Sequence, residues 1–469
     1  MALDDSRPQL TTLLASAAVG VYLLVVVGAT ASFADAAQAC SSWPGCEGAL
    51  SEPGVVVALG HRIAAVVVGL LVLLTGVVAV NAETTDGVKL ASVAALVLYP
   101  AQMAVGAMVA TGGPPVPGLH LFVGITIFGA LVLALAWQLE ATTGERDQPL
   151  EMADVDRINP QEPAEREASQ PQTSLADRSV SARLRTRAFA YFRLMKPRLM
   201  WLLSLVAAAG MALAAGPSLT VGTITLTLGG GVLAIGASGT FNHVLERDRD
   251  RKMSRTNDRP VATHQVPKRN ALVFGFVLAV ASVAVFLQVN LLTALLGVVA
   301  IAFYSVIYTL VLKPNTVQNT VIGGAAGALP ALIGWVAVTG RFDIAGIALA
   351  GLIFVWTPAH FYNLALAYKE DYARGGFPMM PVVRGETTTR KHILLWLGAT
   401  LAATSGLIWL TDLGTLAAAT TVVLGAVFLW AVVRLHHEKT EAAAFRAFHA
   451  SNAYLGLVLC AIVVDALAV

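Results

Sequence analysis

Charged residues are scarce in this 469-residue chain: Asp, Glu, Lys and Arg make up 13% of it, against about 25% in a soluble globular protein. With 56% of residues hydrophobic, a water-exposed fold is excluded and the chain finds its solvent in lipid. Cysteine is rarer still. Three residues are too few for a disulfide scaffold, and a zinc site would need more ligands than the Cys40 to Cys46 loop offers. A net charge of +2 names no partner by itself, and no nucleic acid is expected. No cleavable signal is expected either, because the apolar run from Leu10 to Phe33 is too long for one and is followed by further spans.

What is there is apolar runs of about twenty residues, the length that ~30 Å of hydrocarbon demands. Four precede residue 140, near 11–33, 54–80, 88–111 and 117–138. Nine more follow Arg198. Between the sets, residues 141–189 are rich in Pro, Gln, Ser and mixed charge, and too poor in apolar residues to bury a core. An all-α polytopic membrane protein is expected, with a four-helix domain over 1–140, a polar linker over 141–189 and a nine-helix domain over 190–469. Lys and Arg concentrate in the 243–270, 368–391 and 435–447 loops. The positive-inside rule then makes those loops, the linker and the N-terminus cytoplasmic and the C-terminus external, in a cell membrane.

Directly after an apolar span comes NHVLERDRDRKMSRTNDRP, residues 242–260. At ~100° per residue, Asn242, Glu246 and Asp250 share one helix face, while Asp248 points away. Two carboxylates and an amide oxygen repel one another unless a cation lies between them, and such hard oxygen ligands suit Mg²⁺ held against a phosphate. The neighbouring Arg247, Arg251, Lys252, Arg255 and Arg259 suit phosphate oxygens. Charges just past a span also serve as a solvated anchor. A second cluster favours a site: Lys369, Glu370, Asp371, Arg374 and Arg384 again follow an apolar run, with Gly375 and Gly376 between them. Two such clusters on one side of the membrane read as the halves of a diphosphate site.

Asn242-x-x-x-Glu246-x-x-x-Asp250-x-x-Met253-x-Arg255-Thr256-x-x-Arg259-Pro260 resembles the first signature of the UbiA-type intramembrane prenyltransferases, which have nine transmembrane helices and two Asp-rich motifs binding Mg²⁺ and an allylic diphosphate. YFRLMKPRLMWLL (191–203), YTLVLKPNTVQNTVIGGAAGALPALIGWVAVTG (308–340) and HFYNLALAYKEDYARGGFPMMPVV (360–383) are similar to the protoheme IX farnesyltransferases, or heme O synthases, within that superfamily. The resemblance covers residues ~190–469. Departures are Pro314-Asn315, where basic residues commonly follow the Lys, and Arg249, where an apolar residue is usual. It implies farnesyl transfer to a vinyl group of protoheme IX through an allylic cation. Asn242, Glu246, Asp250 and Asp371 would hold Mg²⁺, and Arg255, Arg259, Lys313, Lys369 and Arg384 the diphosphate. Lys196 and Arg198 are read equally well as interfacial anchors. His360, within an apolar run, is read either as a heme-handling residue or as an imidazole bonded to a neighbouring helix. Asp465, inside the last span, has no reading.

In the N-terminal half, Cys40 and Cys46 lie in an external loop, where compartment and spacing favour a disulfide over two free thiols. His61 and His120 start the second and fourth spans at the same expected depth; a facing pair can hold heme in a bundle, and two interfacial histidines are the plain alternative. CSSWPGC, HRIAAVVVGLLVL and GLHLFVGITIFGALV are similar to the N-terminal half of heme A synthase. Ala58 stands where that family has an acidic residue. The resemblance implies a heme-binding or heme-delivering module, with a heme A synthase or a terminal oxidase as possible partners. Two other readings compete with the heme O synthase: prenylation of a quinone precursor or lipid, and a heme-passing module without catalysis, which leaves both acidic motifs without a purpose.

Overall fold

The computed structural model describes residues 6–31, 40, 42–46, 48–111, 117–147, 180–411 and 413–468. Most of the expected linker (148–179) and Val469 lie outside them. Among the described residues the chain is helical throughout, with no strand. Backbone N–H and C=O groups in lipid must be satisfied within the chain, which a helix does segment by segment. Among the same residues, thirteen helices are long and apolar enough to cross a membrane, matching the four plus nine runs in the sequence.

The long helices are α1 (Ser6–Ala31), α2 (Pro53–Asn81), α3 (Asp86–Ala110), α4 (Pro117–Thr143), α5 (Val180–Leu194), α6 (Pro197–Ala215), α7 (Val221–Leu245), α8 (Lys268–Leu287), α9 (Leu291–Ala302), α10 (Asn319–Thr339), α11 (Ile344–Ala367), α12 (Glu386–Leu410), α13 (Thr415–Glu438) and α14 (Glu441–Ala468). Their starts follow local chemistry. Thr85, Thr220 and Asn290 each accept a hydrogen bond from the backbone N–H three residues on, and prolines open α2 and α6, where no N–H is missed.

By contact the chain divides into two compact units: Met1–Arg146 with Asp343–Ala367 and Thr387–Val469, and Asp147–Phe342 with Tyr368–Glu386. The cut differs from the sequence segments 1–140, 141–189 and 190–469, because α11 to α14 pack with the four N-terminal helices. In that first unit a buried hydroxyl ladder runs from Tyr22 on α1 to Thr421 (3.2 Å), on to Tyr454 (3.0 Å) and to Thr404 (2.7 Å). Lys391 pairs with Glu140, and Lys439 with Glu145, at 2.6 Å each. Asp465 also gains a structural account: its Oδ2 accepts the backbone N–H of Ala417 at 2.8 Å, capping α13, whose own N-cap Gly414 has no side chain to do so.

In the second unit α6 and α10 touch backbone to backbone. A Cβ at Gly210 would lie 2.5 Å from the Ala331 carbonyl oxygen, and one at Gly334 would press still closer on that of Ala207. Small residues at such crossings let helices approach where lipid offers no hydrophobic drive. α7 packs on α6 and α8, and its C-terminal end carries the charged stretch.

Candidate active site

α7 ends at Leu245, and Glu246 leaves helical geometry (φ −94°, ψ 2°) before a short helix, Arg247–Asp250. The ladder survives the break. Glu246 N–H donates to the Asn242 carbonyl at 2.9 Å and Asp250 N–H to that of Glu246 at 2.8 Å. Asn242, Glu246 and Asp250 are each buried, 1%, 4% and 0% exposed, whereas the Asp248 side chain is 77% exposed.

The acids meet bases rather than one another. Arg259 Nη1 donates to both Asp250 oxygens at 2.8 Å and lies 3.8 Å from Glu246 Oε2. Lys313 Nζ donates to Glu246 Oε1 at 2.7 Å and sits 4.4 Å above the Phe377 ring. Lys196 Nζ donates to Asn242 Oδ1 and, at 3.2 Å, to Tyr304 Oη. Burial pushes the Glu246 carboxyl up, but Lys313, Lys196 and Arg259 outweigh it and hold the group below its ordinary value. Asp250 goes the other way: burial, with Glu246 nearby, outweighs Arg259 and raises it.

Lys196 is therefore part of the cluster and not only an anchor. Its backbone is left-handed (φ 56°), a conformation that costs a non-glycine residue roughly 1–2 kcal/mol. Gly239 supplies the room, since a Cβ there would lie 3.2 Å from Lys196 Cγ. Burial, then repulsion from Arg259, push its ammonium well below the ordinary lysine value.

A ten-residue π-helix, Phe303–Leu312, continues α9 and brings Tyr304 to Lys196 and Thr309 to Asn242 Nδ2 (3.1 Å), and Lys313, the residue directly after it, reaches Glu246. In an α-helix, at ~100° per residue, Tyr304 and Thr309 would diverge by ~140°. The π geometry, common at functional sites, brings them onto one face.

Asp371 belongs to a second set. It accepts from the Ser254 N–H (3.1 Å), Ser254 Oγ (2.9 Å) and the Arg255 N–H (3.1 Å), and it pairs with Arg374 at 2.7 Å. Burial raises its carboxyl, but these donors more than offset that and leave it lowered. Arg255 lies over the rings of Tyr368 and Tyr372, at 5.0 and 5.5 Å. Arg249 lies 5.0 Å over Phe377. Lys369 instead pairs with Glu386 on the periphery, and Arg384 is exposed; neither bonds to the cluster among the described residues.

The four expected metal ligands thus fall into two groups. Among the described residues no three Asp, Glu, His or Cys side chains form a metal-binding cluster. The physical reason is charge: without a cation between them, carboxylates take the nearest bases. The donor set still suits a hard divalent ion, because Glu246 and Asp250 are buried oxygens, burial first and Glu246 second raising Asp250, with the Asn242 amide oxygen one turn before Glu246.

Beside Lys196 and Tyr304 opens an apolar cavity of about 80 Å³, running along α7 past Ser238, Ala234 and Gly231 to Thr227. That length, eleven residues at 1.5 Å each, is ~16 Å. The carbon backbone of a farnesyl group, about eleven bonds advancing roughly 1.3 Å each, spans ~14 Å, but a cavity of ~150 Å³ takes one benzene, so at about 80 Å³ the walls must part to admit such a chain.

The remaining candidates lie in the first unit. His360 is buried between Trp356 and Phe448 (ring centroids 4.3 and 4.4 Å), and its Nδ1 bonds Ser451 Oγ at 2.7 Å, which is the helix-to-helix alternative read from sequence. Cys40 and Cys46 are joined in a disulfide. His61 and His120 both line one cavity of about 340 Å³, with Arg62, Tyr99, Gln102 and Trp409; their Nδ1 atoms are buried and unpartnered.

The family model of UbiA prenyltransferases matches residues 202–456. Protoheme IX farnesyltransferase 1 of Natronomonas pharaonis is 64% identical over 97% of this chain and 98% of its own, and the protoheme IX farnesyltransferase of Haloarcula marismortui is 63% identical over 98% of each. A structure of digeranylgeranylglyceryl phosphate synthase shares the fold at 15% identity, with a TM-score of 0.52, over 61% of this chain and all of that one.

Proposed function

The chain belongs to the UbiA prenyltransferase family and, within it, to the protoheme IX farnesyltransferases, and from that premise we propose how its residues share the work. The reaction moves the farnesyl group of farnesyl diphosphate onto a vinyl group of protoheme IX, giving heme O and diphosphate, a prenyl transfer of EC class 2.5.1. The protein is a multi-pass membrane protein.

Asn242, Glu246 and Asp250 would hold Mg²⁺, with Asp371 serving the second half of the site. The metal would supply neutralisation of the leaving diphosphate's charge. Arg259 and Lys313, paired with Asp250 and Glu246, and Lys196, bonded to Asn242 and Tyr304, are the cations that bind the non-bridging phosphate oxygens, and Arg255 joins them from the 254–255 turn. Tyr304 and the apolar wall of the cavity receive the prenyl group and keep water from the allylic cation; the tyrosine ring stabilises that cation by its face. The farnesyl C1–O bond breaks with its electron pair leaving on diphosphate, the vinyl carbon bonds to C1, and water adds to the resulting cation and gives up a proton to solvent or to the released diphosphate, leaving the hydroxyethylfarnesyl side chain. Lys369 and Arg384 enter as diphosphate contacts only if the 368–386 segment closes over substrate.

One observation carries this reading: three half-buried cations, Lys196, Arg259 and Lys313, meet three buried oxygen ligands, and the first of those cations also lines an apolar cavity. The test is pigment analysis of membranes from a host lacking its own heme O synthase, expressing the protein intact or with Asp250→Ala. Heme O only with the intact protein supports it. No heme O from either, with protein and farnesyl diphosphate present, moves the acceptor to a quinone or lipid.

A second reading concerns the N-terminal helices. We propose that they receive heme at His61 and His120; His360, bonded through Nδ1 to Ser451 and stacked between Trp356 and Phe448, is taken up in packing the same unit. Two imidazoles whose buried Nδ1 atoms lack partners, the His120 ring also meeting Gln102 through Nε2 at 3.5 Å, line one cavity and favour it. The basic loops favour a cytoplasmic N-terminus and active site and an external C-terminus, with heme O passing next to a heme A synthase or a terminal oxidase.

A further inference from the structure

The Cys40–Cys46 loop forms part of the wall of the N-terminal cavity, since Trp43 and Pro44 line it. Besides the disulfide, one side chain bonds this loop among the described residues. Arg62 Nη1 donates to the carbonyls of Ser42 (2.8 Å), Pro44 (3.3 Å) and Gly45. Among the described residues these neutral oxygens are its only acceptors, and it makes no ion pair. A guanidinium is built to meet a carboxylate with two parallel charge-assisted bonds, and three carbonyls crowded on one nitrogen are a poorer match.

Arg62 also follows His61 directly on α2 and lines the same cavity, so a ligand centred on the imidazoles would bring its edge groups within the guanidinium's reach. Beyond the His61, His120 and Gln102 side chains, whose buried Nδ1, Nδ1 and Oε1 atoms lack partners, the wall is mostly apolar. That combination fits a flat apolar ring system carrying carboxylates on one edge. We propose that Arg62 is the carboxylate-recognition residue of this cavity and that its bonds to the disulfide loop are a latch, released when a porphyrin carboxylate takes the guanidinium. The inference rests on the heme reading of the N-terminal helices and adds to it a ligand edge and a moving part.

The test uses the full-length protein in detergent, titrated with hemin and with hemin dimethyl ester, and followed by Soret absorbance. The His61→Ala/His120→Ala double variant measures heme taken up by the transferase site, which is subtracted. Wild type should bind hemin about tenfold more tightly than the ester, the factor that ~1.4 kcal/mol gives. Arg62→Gln should lose that preference by weakening hemin alone, and Arg62→Lys should keep part of it. Reduction of the Cys40–Cys46 disulfide by a phosphine, read by thiol labelling in a Cys460→Ser background, should quicken with hemin but not with the ester. Equal binding of both ligands by the wild type overturns the latch while leaving the heme reading intact. Absence of any Soret change beyond that of the double histidine variant overturns the heme reading and the latch together. If Arg62→Gln fails to fold, the wild-type ligand comparison and Arg62→Lys decide.

Discussion

Arg259 holds both oxygens of Asp250 at 2.8 Å and stands 3.8 Å from Glu246, so a single guanidinium serves two carboxylates that are almost without solvent. The two acids do not profit equally. Glu246 is lowered, so its contribution to stability is present above its unfolded value and is lost as pH falls through the folded one. Asp250 is raised, so its contribution is present below its unfolded value and is lost as pH rises through the folded one. At neutral pH, Glu246→Gln should therefore lower Tm, whereas Asp250→Asn should leave it unchanged or raise it. Both should cut heme O formation by ~10²-fold or more, the scale on which preorganised electrostatic groups act. Equal losses of Tm from the two changes would sink the idea that Asp250 is held against its own stability for function.

Lys313 is the sole cation within 3 Å of Glu246 among the described ion pairs, and it lies over Phe377. Lys313→Met keeps the stem on the ring but leaves a buried carboxylate short of its closest partner, a loss of about 3 kcal/mol. Thermal unfolding should show it, and kcat/KM for farnesyl diphosphate should fall. In the Lys313→Met/Glu246→Gln double variant the stability loss should be smaller than the sum of the two while activity stays low. An additive sum would mean that the pair is not coupled.

Gly231 faces the apolar cavity, and a Cβ there meets nothing within 4 Å. Gly231→Leu should fill the space used by the third isoprene unit. The ratio of turnover with geranyl diphosphate to that with farnesyl diphosphate should rise by about tenfold, a typical return for a few methylenes in an apolar pocket. An unchanged ratio would place the prenyl group elsewhere.

The span count and the acid face were legible because they depend on local pattern alone: twenty apolar residues, and carboxylates four apart. The aromatic and polar partners were not. Thr309 faces Asn242 only through a π-helix, and an α-helical wheel drawn on the sequence would turn it away from Tyr304. Lys196 reads equally well as a weaker diphosphate candidate or an interfacial anchor until its left-handed backbone and the missing Cβ of Gly239 show it bending inward. Lys369 and Arg384 are expected beside Asp371 from their nearness in sequence, but the short helix Lys369–Arg374 points Asp371 at the 254–255 turn and Lys369 at Glu386, a separation that sequence spacing does not announce. The grouping of α11 to α14 with the N-terminal helices rests on long-range packing, of which the Tyr22–Thr421 hydroxyl bond is one instance, and no local pattern announces it.

Those contacts carry a prediction of their own. Tyr22, Thr421, Tyr454 and Thr404 form one buried ladder, and each hydroxyl removed leaves a neighbour with fewer partners in a setting that water does not reach. Tyr22→Phe ends the ladder early but leaves Thr421 bonded to Tyr454, so it should cost about 1 kcal/mol. Tyr454→Phe strands Thr404 and Thr421 from their shared partner and should cost more. Deleting residues 1–146 removes Tyr22 together with Glu140 and Glu145, the partners of Lys391 and Lys439, and uncovers the face of α13 on which α1 packs. The shortened protein should lose α12 to α14 to limited proteolysis, and with them heme O formation, even though every residue of the acid–base cluster is still encoded. If the deletion leaves both proteolytic protection and heme O formation unchanged, the N-terminal helices are an appendage to the transferase and not part of its structure.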